Sequence, residues 1–241
     1  MTKRAFLAEG LHGTMVRHVV LVAAMFDDSD QVKSQVDALR EQVSSNVFVS
    51  RRRRSARIRS LSFCDAHPSS RREMRALISR LQLVCDVRFA KKDDVASFDE
   101  AKWYRKTLRQ FAAAELVRGQ TCDFEIQSGS RIDVQTATRE IASLANRFER
   151  RESAAGRTVL PAGERIRLRG ADRDDPCCLV AEYIAGTVHE ALEAGRGEAE
   201  DSNAAYGQIA SHIRVIRDVG NQTMFRGHAF LRELTRRASE L

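Results

Sequence analysis

Proline and lysine are scarce in this chain: there are three prolines, one tryptophan and 6% aromatic residues, and only six lysines stand among the 40 basic residues. With so little proline and no short repeat, proline-rich and collagen-like classes fall away. Long hydrophobic runs are missing as well. The apolar stretch VVLVAAMF, at 19–26, is far short of the roughly 20 residues that cross a bilayer. An acid upstream of it, Glu9, and the lack of a small-residue cleavage pattern before DDSD argue against a secretory signal. The five cysteines, Cys64, Cys85, Cys122, Cys177 and Cys178, form an odd set without C-x-x-C spacing, which excludes a zinc ribbon and a disulfide framework. They read as reduced, mostly buried thiols of a cytoplasmic protein with no membrane partner. No G-x-G-x-x-G, P-loop, H-E-x-x-H or G-x-S-x-G occurs, so the common nucleotide-cofactor and hydrolase signatures are absent.

What is present is positive charge and helix–strand alternation. The 241 residues suffice for one large core, and 43% hydrophobic against 30% charged residues is ordinary for a globular chain. A net charge of +7, carried by arginine, favours polyanionic partners through counterion release. An Arg-rich, Ala-rich composition is equally compatible with a solvated basic surface.

Two strands open the chain, RAFLAEG and VRHVVLVAAMF, joined by a Gly/His turn at 10–13. A helix follows with Val32, Val36, Leu39 and Val43 in register and Asp28 and Gln31 in capping-box spacing. ARIRSLSF reads as an exposed or edge strand leaving a basic loop. A helix is expected over about 70–81, then a strand in LQLVCDVRFA. The capping box SFDE at 97–100 opens a helix carrying Trp103 and Tyr104, which read as core residues. TCDFEIQ is a strand, and RIDVQTATREIASLANRFERR is a helix with Val134, Ala137, Ile141, Leu144 and Phe148 on one face. A polar linker at 152–164 leads to another strand, RIRLRGADRD, and then to the helix DDPCCLVAEYIAGTVHEALEAG. Two helical segments are expected after it. Strands alternating with helices predict an α/β architecture with a mixed sheet whose first two strands are antiparallel.

The chemistry-bearing candidates are acids where strands leave the sheet. In α/β folds such acids can converge on a metal pair that activates water and steadies the leaving oxygen in phosphodiester cleavage. The candidates are Glu9 after the first strand, Glu125 or its neighbour Gln127, Asp172 and Asp174 before the late helix, and Glu182 within it.

Four segments, taken in order, resemble a known family. FLAEG followed by HVVLVAAMFDDSDQVKSQVDALREQ, then LSFCDAHPSSRREMRALISRL, then FEIQSGSR, and finally CLVAEYIAGTVHEAL are similar to the motifs of the bacterial domain of unknown function (DUF) 3800 family of the RNase H-like superfamily. The resemblance covers about residues 4–195. It implies an RNase H-like mixed sheet flanked by helices over 1–195, with a C-terminal helical extension over 196–241. It also implies a metal-dependent nuclease ancestry, with Mg²⁺ or Mn²⁺ as cofactor if the site is catalytic and none otherwise. The family's first aspartate falls on Ala8, beside Glu9. Its mid-chain acid falls on Gln127, which is neutral and a poorer ligand for Mg²⁺; its late aspartate falls on Glu182, and its histidine on Ser62. The candidate catalytic set is Glu9 and Glu182, which would hold metal, with Glu125 or Asp174 as a further member; Glu125 could replace Gln127 only if a bulge turned it to the same face.

The arginine strip Arg51, Arg52, Arg53, Arg54, Arg57 and Arg59 supplies a second reading. There the chain is a non-catalytic module that grips phosphate without reading sequence, or docks an acidic protein. Helical periodicity bears on the same choice. At 100° per residue Cys177, Val180, Ala181, Ile184 and Val188 form the apolar face of the late helix, and Glu182 falls opposite, near Ala185, Gly186 and His189. Periodicity alone therefore predicts an outward-facing acid and a surface histidine.

Overall fold

A computed structural model of the chain describes residues 3–10, 17–45, 62–92, 98–118, 121–127, 132–158, 160–172, 174–194 and 198–240. The arginine strip and most of ARIRSLSF lie outside the described residues, as does most of the turn joining the first two strands. Ser62 and Phe63, at the end of that stretch, sit in a turn closed by the amides of Asp65 and Ala66 on the Ser62 carbonyl, so this part of the expected edge strand is not extended.

The elements run β1 (Lys3–Glu9), β2 (His18–Phe26), α1 (Ser29–Ser45), α2 (Pro68–Ile78), β3 (Leu83–Lys91), α3 (Glu100–Val117), β4 (Cys122–Gln127), α4 (Val134–Ala154), α5 (Ala162–Arg165), β5 (Ile166–Ala171), α6 (Pro176–Glu193), α7 (Ala199–Ile209), β6 (Ile213–Asp218), β7 (Met224–Phe225) and α8 (Gly227–Glu240). Seven strands form one mixed sheet in the order β5-β4-β1-β2-β3-β6-β7. The fold is α/β, with β1, β2 and β3 successively antiparallel. The flanking strands β4 and β6 pair parallel with β1 and β3.

Alternation along the strands builds two cores, because successive side chains point to opposite faces. Phe6, Ala8, Val20, Val22, Cys85 and Val87 face α1, α2, α6, α7 and α8. Ala5, Leu7, Leu21, Phe124 and Ile126 face α3 and α4. Trp103 and Tyr104 are buried in this second core, as expected.

Local signals start the helices where expected, with one shift. Asp28 accepts from the amide of Gln31 at 3.0 Å, Asp133 caps α4 and Asp175 caps α6. At α3 the cap is Asp99, which accepts from the Lys102 amide at 2.9 Å, rather than Ser97. The segment after α6 contains the two expected helices, α7 and α8. Between them it also adds β6 and β7, so the C-terminal extension widens the sheet. Asp86 on β3 holds Arg214 on β6 through a fork, Nε at 2.9 Å and a terminal nitrogen at 2.7 Å, a bidentate geometry suited to guanidinium and carboxylate.

Candidate functional site

Helix α6 starts on Asp175, whose carboxylate accepts from the amides of Cys177 and Cys178 at 2.9 and 3.2 Å, and Pro176 occupies the first helical position, where no amide donor is needed. The helix then lies across β1 and β2, with α1, α2 and α7 also against it. It is buried nearly all round, from Cys177 to Ala191. That overturns the outward-facing expectation: Glu182 is 9% exposed and His189 is 1% exposed. Periodicity correctly locates one apolar face but cannot reveal that a second layer covers the other.

The cover over Glu182 is built by the turn before α2. The Ser62 hydroxyl donates to Glu182 Oε1 at 2.6 Å, and the Phe63 amide donates to the same oxygen at 2.9 Å. Phe63 is pinned so that its backbone can do this. Its ring stands edge-on to Tyr183 at 5.2 Å, Arg71 lies over it at 4.4 Å, and it rests on Gly186, where an added Cβ would come within 2.3 Å of the ring. The space left by Gly186 is filled by this phenylalanine.

The second oxygen of Glu182 is taken from the sheet. Gln127 at the end of β4 donates its side-chain amide to Glu182 Oε2 at 3.1 Å. Ala8 belongs to the same neighbourhood. The β1–β4 register ends at Leu7 with Ile126, so one step on Ala8 falls beside Gln127, on the α6 face of the sheet. Ala8, Gln127 and Glu182, scattered in sequence, are thus brought together at the carboxyl ends of two parallel strands under one helix.

The other candidates are dispersed. Glu9 is 8% exposed, but it follows Leu7 by two residues and pairs with Leu21, both in the core beneath α3 and α4. It therefore points to the face opposite Glu182. Its charge is felt there by Tyr104, whose hydroxyl is pushed well above its ordinary range, by burial first and by Glu9 second. Glu125, 8% exposed, is on the α6 face without any bulge, since β4 stays in register with both neighbours. It is engaged by Arg4, whose Nε donates to Oε1 at 2.9 Å and whose terminal nitrogen contacts the same oxygen. Asp174 is exposed in the turn before α6, where its backbone carbonyl accepts from Arg40 at 2.6 Å.

A divalent ion does not fit this arrangement. Mg²⁺ seeks several anionic or neutral oxygens, yet Ala8 supplies none and Gln127 presents nitrogen. Three lone-pair positions of Glu182 are already occupied by donors. Among the described residues no group of three or more His, Cys, Asp or Glu side chains is placed to hold a metal ion.

Sequence reasoning missed a second, partly buried cluster at the far end of α6. His189 Nε2 lies 3.2 Å from the His18 carbonyl, and Glu193 accepts from the His18 amide at 2.7 Å and from its ring nitrogen at 2.9 Å. Burial opposes ionisation of Glu193, but the two His18 hydrogen bonds outweigh it and hold the carboxyl below its usual range. The cluster ties the start of β2 to the end of α6, and only the antiparallel return of the chain brings its members together. Helical spacing sets His189 beside Glu193, at i and i+4, but nothing in the sequence could have brought His18 to them.

No protein-family model matches the chain, and no curated protein does. Solved structures are similar to it at low identity. RNase HII of Archaeoglobus fulgidus, in its complex with PCNA, is 15% identical with a TM-score of 0.44, covering 83% of this chain and 78% of that one. Ribonuclease H2 of Pyrococcus horikoshii OT3 is 14% identical with a TM-score of 0.44, covering 88% and 81%. Bst-RNase HIII in complex with Mn²⁺ is 11% identical with a TM-score of 0.34, covering 100% and 71%. Among the described residues no helix is long and apolar enough to cross a membrane.

Proposed function

We propose that this chain is a non-catalytic member of the RNase H-like superfamily, related to the bacterial DUF 3800 family, that works in the cytoplasm as a nucleic-acid-binding module. The ancestral unit is 1–195, and 196–241 extends its sheet. One observation carries the loss of catalysis: Gln127 donates an N–H to Glu182 Oε2 at the point where a nuclease would aim two carboxylates at metal. An acid at 127 would repel Glu182, whereas the amide neutralises the contact. With Ala8 beside it, the old acid positions have become a hydrogen-bonded joint between α6, β4 and the turn at Ser62. Glu182 serves as the post of that joint. The net charge of +7 supports a polyanionic partner, to which the strip Arg51, Arg52, Arg53, Arg54, Arg57 and Arg59 would contribute.

The test is incubation of the purified chain with labelled single-stranded RNA, single-stranded DNA and RNA–DNA hybrid at 5–10 mM Mg²⁺ or Mn²⁺, where about 10 mM is ample for a weak site. Binding without cleavage is expected. Cleavage that disappears in Glu182→Gln would overturn the proposal and restore a metal-dependent nuclease.

A further inference from the structure

On the face of the sheet away from Glu182, α3 and α4 lie side by side. Their inner surfaces bury Trp103, Leu108, Phe111, Ile141 and Ala145. Their outer surfaces leave a groove of about 660 Å³ lined by Lys102, Arg105, Lys106 and Arg109 from α3 and Glu140 and Leu144 from α4. A shallower groove of about 330 Å³ continues it, past Arg109 to Arg139, Ser143 and Arg147. Six cations thus face one carboxylate along these two grooves, and that carboxylate, Glu140, lies 4.0 Å from Arg105.

We infer that the α3–α4 groove is a binding surface for the phosphate backbone of nucleic acid. Lys102, Arg105, Lys106 and Arg109 follow helical spacing, so their charges form one stripe. At 1.5 Å of rise per residue the stripe is about 10 Å long, comparable with about three phosphates of one strand at 3.4 Å each. Unbalanced like charges at this density repel one another, and a polyanion is what relieves that repulsion. The lining offers no base-stacking ring, because Trp103 and Tyr104 are turned into the core. What remains is long cationic side chains on rigid helices, which grip backbone and read no bases. An acidic protein segment would satisfy the charge but would gain little from arginine's match to phosphate. The inference stands whether or not Glu182 is catalytic.

The probe is a fluorescein-labelled 20-nucleotide single strand and the corresponding duplex, followed by anisotropy between 50 and 200 mM NaCl. If all six cations meet phosphate, duplex affinity falls roughly 10³-fold over that range in the wild type and roughly 40-fold in the triple variant Lys102→Gln, Lys106→Gln, Arg109→Gln. All three side chains are solvent-facing, and circular dichroism confirms the fold. Glu140→Gln, which removes the opposing charge, is expected to tighten binding two- to threefold. An unchanged salt slope in the triple variant overturns the proposal, as does complete loss of binding in an Arg51–Arg54 alanine variant with none in the triple variant. Tighter binding to labelled poly-glutamate than to nucleic acid also overturns it, in favour of a protein partner.

Discussion

Replacing Glu182 by alanine removes the acceptor for three donors at once, the Ser62 hydroxyl, the Phe63 amide and the Gln127 amide. Hydrogen bonds to a charged acceptor are worth about 1.5–3 kcal/mol each, while the burial of the carboxylate costs several kcal/mol that the variant recovers. The Phe63 N–H is fixed in the backbone and cannot turn to a new partner. Its orphaning alone costs about 1–3 kcal/mol. The net expectation is a loss of about 2–4 kcal/mol, which at a urea dependence of roughly 3 kcal/mol per molar shifts the unfolding midpoint down by about 1 M. Glu182→Gln discriminates the reasoning. The new side-chain oxygen still accepts from Ser62 and Phe63, and Gln127 has only to turn its amide over to present oxygen, so the cost is about 1 kcal/mol or less. Urea denaturation followed by circular dichroism measures both. The joint is refuted if the alanine variant unfolds at the wild-type midpoint, or if the two variants lose equal stability. Mn²⁺ supplies the independent arm. A native-state metal at 100 times its Kd would add about 2.7 kcal/mol, whereas no shift in midpoint at 10 mM Mn²⁺ is expected, on the order of a hundredfold above a weak site's Kd.

Gly186→Ala places a methyl against the Phe63 ring, at 2.3 Å before relaxation. Overpacking of about 1–3 kcal/mol is expected, together with weakened protection from hydrogen exchange at the Phe63 amide; wild-type protection there would contradict the role given to this contact. Thiol labelling at pH 8 is expected to modify Cys64 alone in the native protein, since the other four cysteines are buried and burial pushes the Cys177 and Cys122 thiols up to about 12. Rapid labelling of two or more thiols before denaturation would contradict that packing. Burial raises the Glu190 carboxyl above 4.5, the nearby Arg71 and Arg75 notwithstanding. A raised folded value means that this group favours folding below the unfolded pKa and that the advantage is lost as pH rises through the folded one. The stability of the wild type relative to Glu190→Gln is therefore expected to fall between pH 4 and pH 7, and a gap that widens would show the ion pairs prevailing over burial.

Much of this architecture is legible in the chain because its signals are local. Asp28, Asp133 and Asp175 are followed by helices for the reason any such cap works: a short carboxylate satisfies amides that the first turn leaves open. The continuous apolar runs of β1 and β2 likewise follow from a sheet covered on both faces. Strand β6 was less legible. Its pattern of burial does not alternate, and only the β-branched residues Ile213, Val215 and Ile216 hint at it. The placement of acids divides the same way. Parity along β1 was available to separate Ala8 from Glu9, but the direction of each side relative to α6 was not.

By itself the sequence determined most of the helices, the mixed character of the sheet, the excess of positive charge and the neutral residues at 8 and 127. Tertiary structure alone decided that Glu182 faces inward, that Ser62, Phe63 and Gln127 close around it, that Glu9 belongs to the opposite core, and that six cations of α3 and α4 share a groove. The reason is physical. Capping and periodicity act over a few residues, whereas burying a carboxylate or gathering like charges depends on which distant segments the sheet brings alongside.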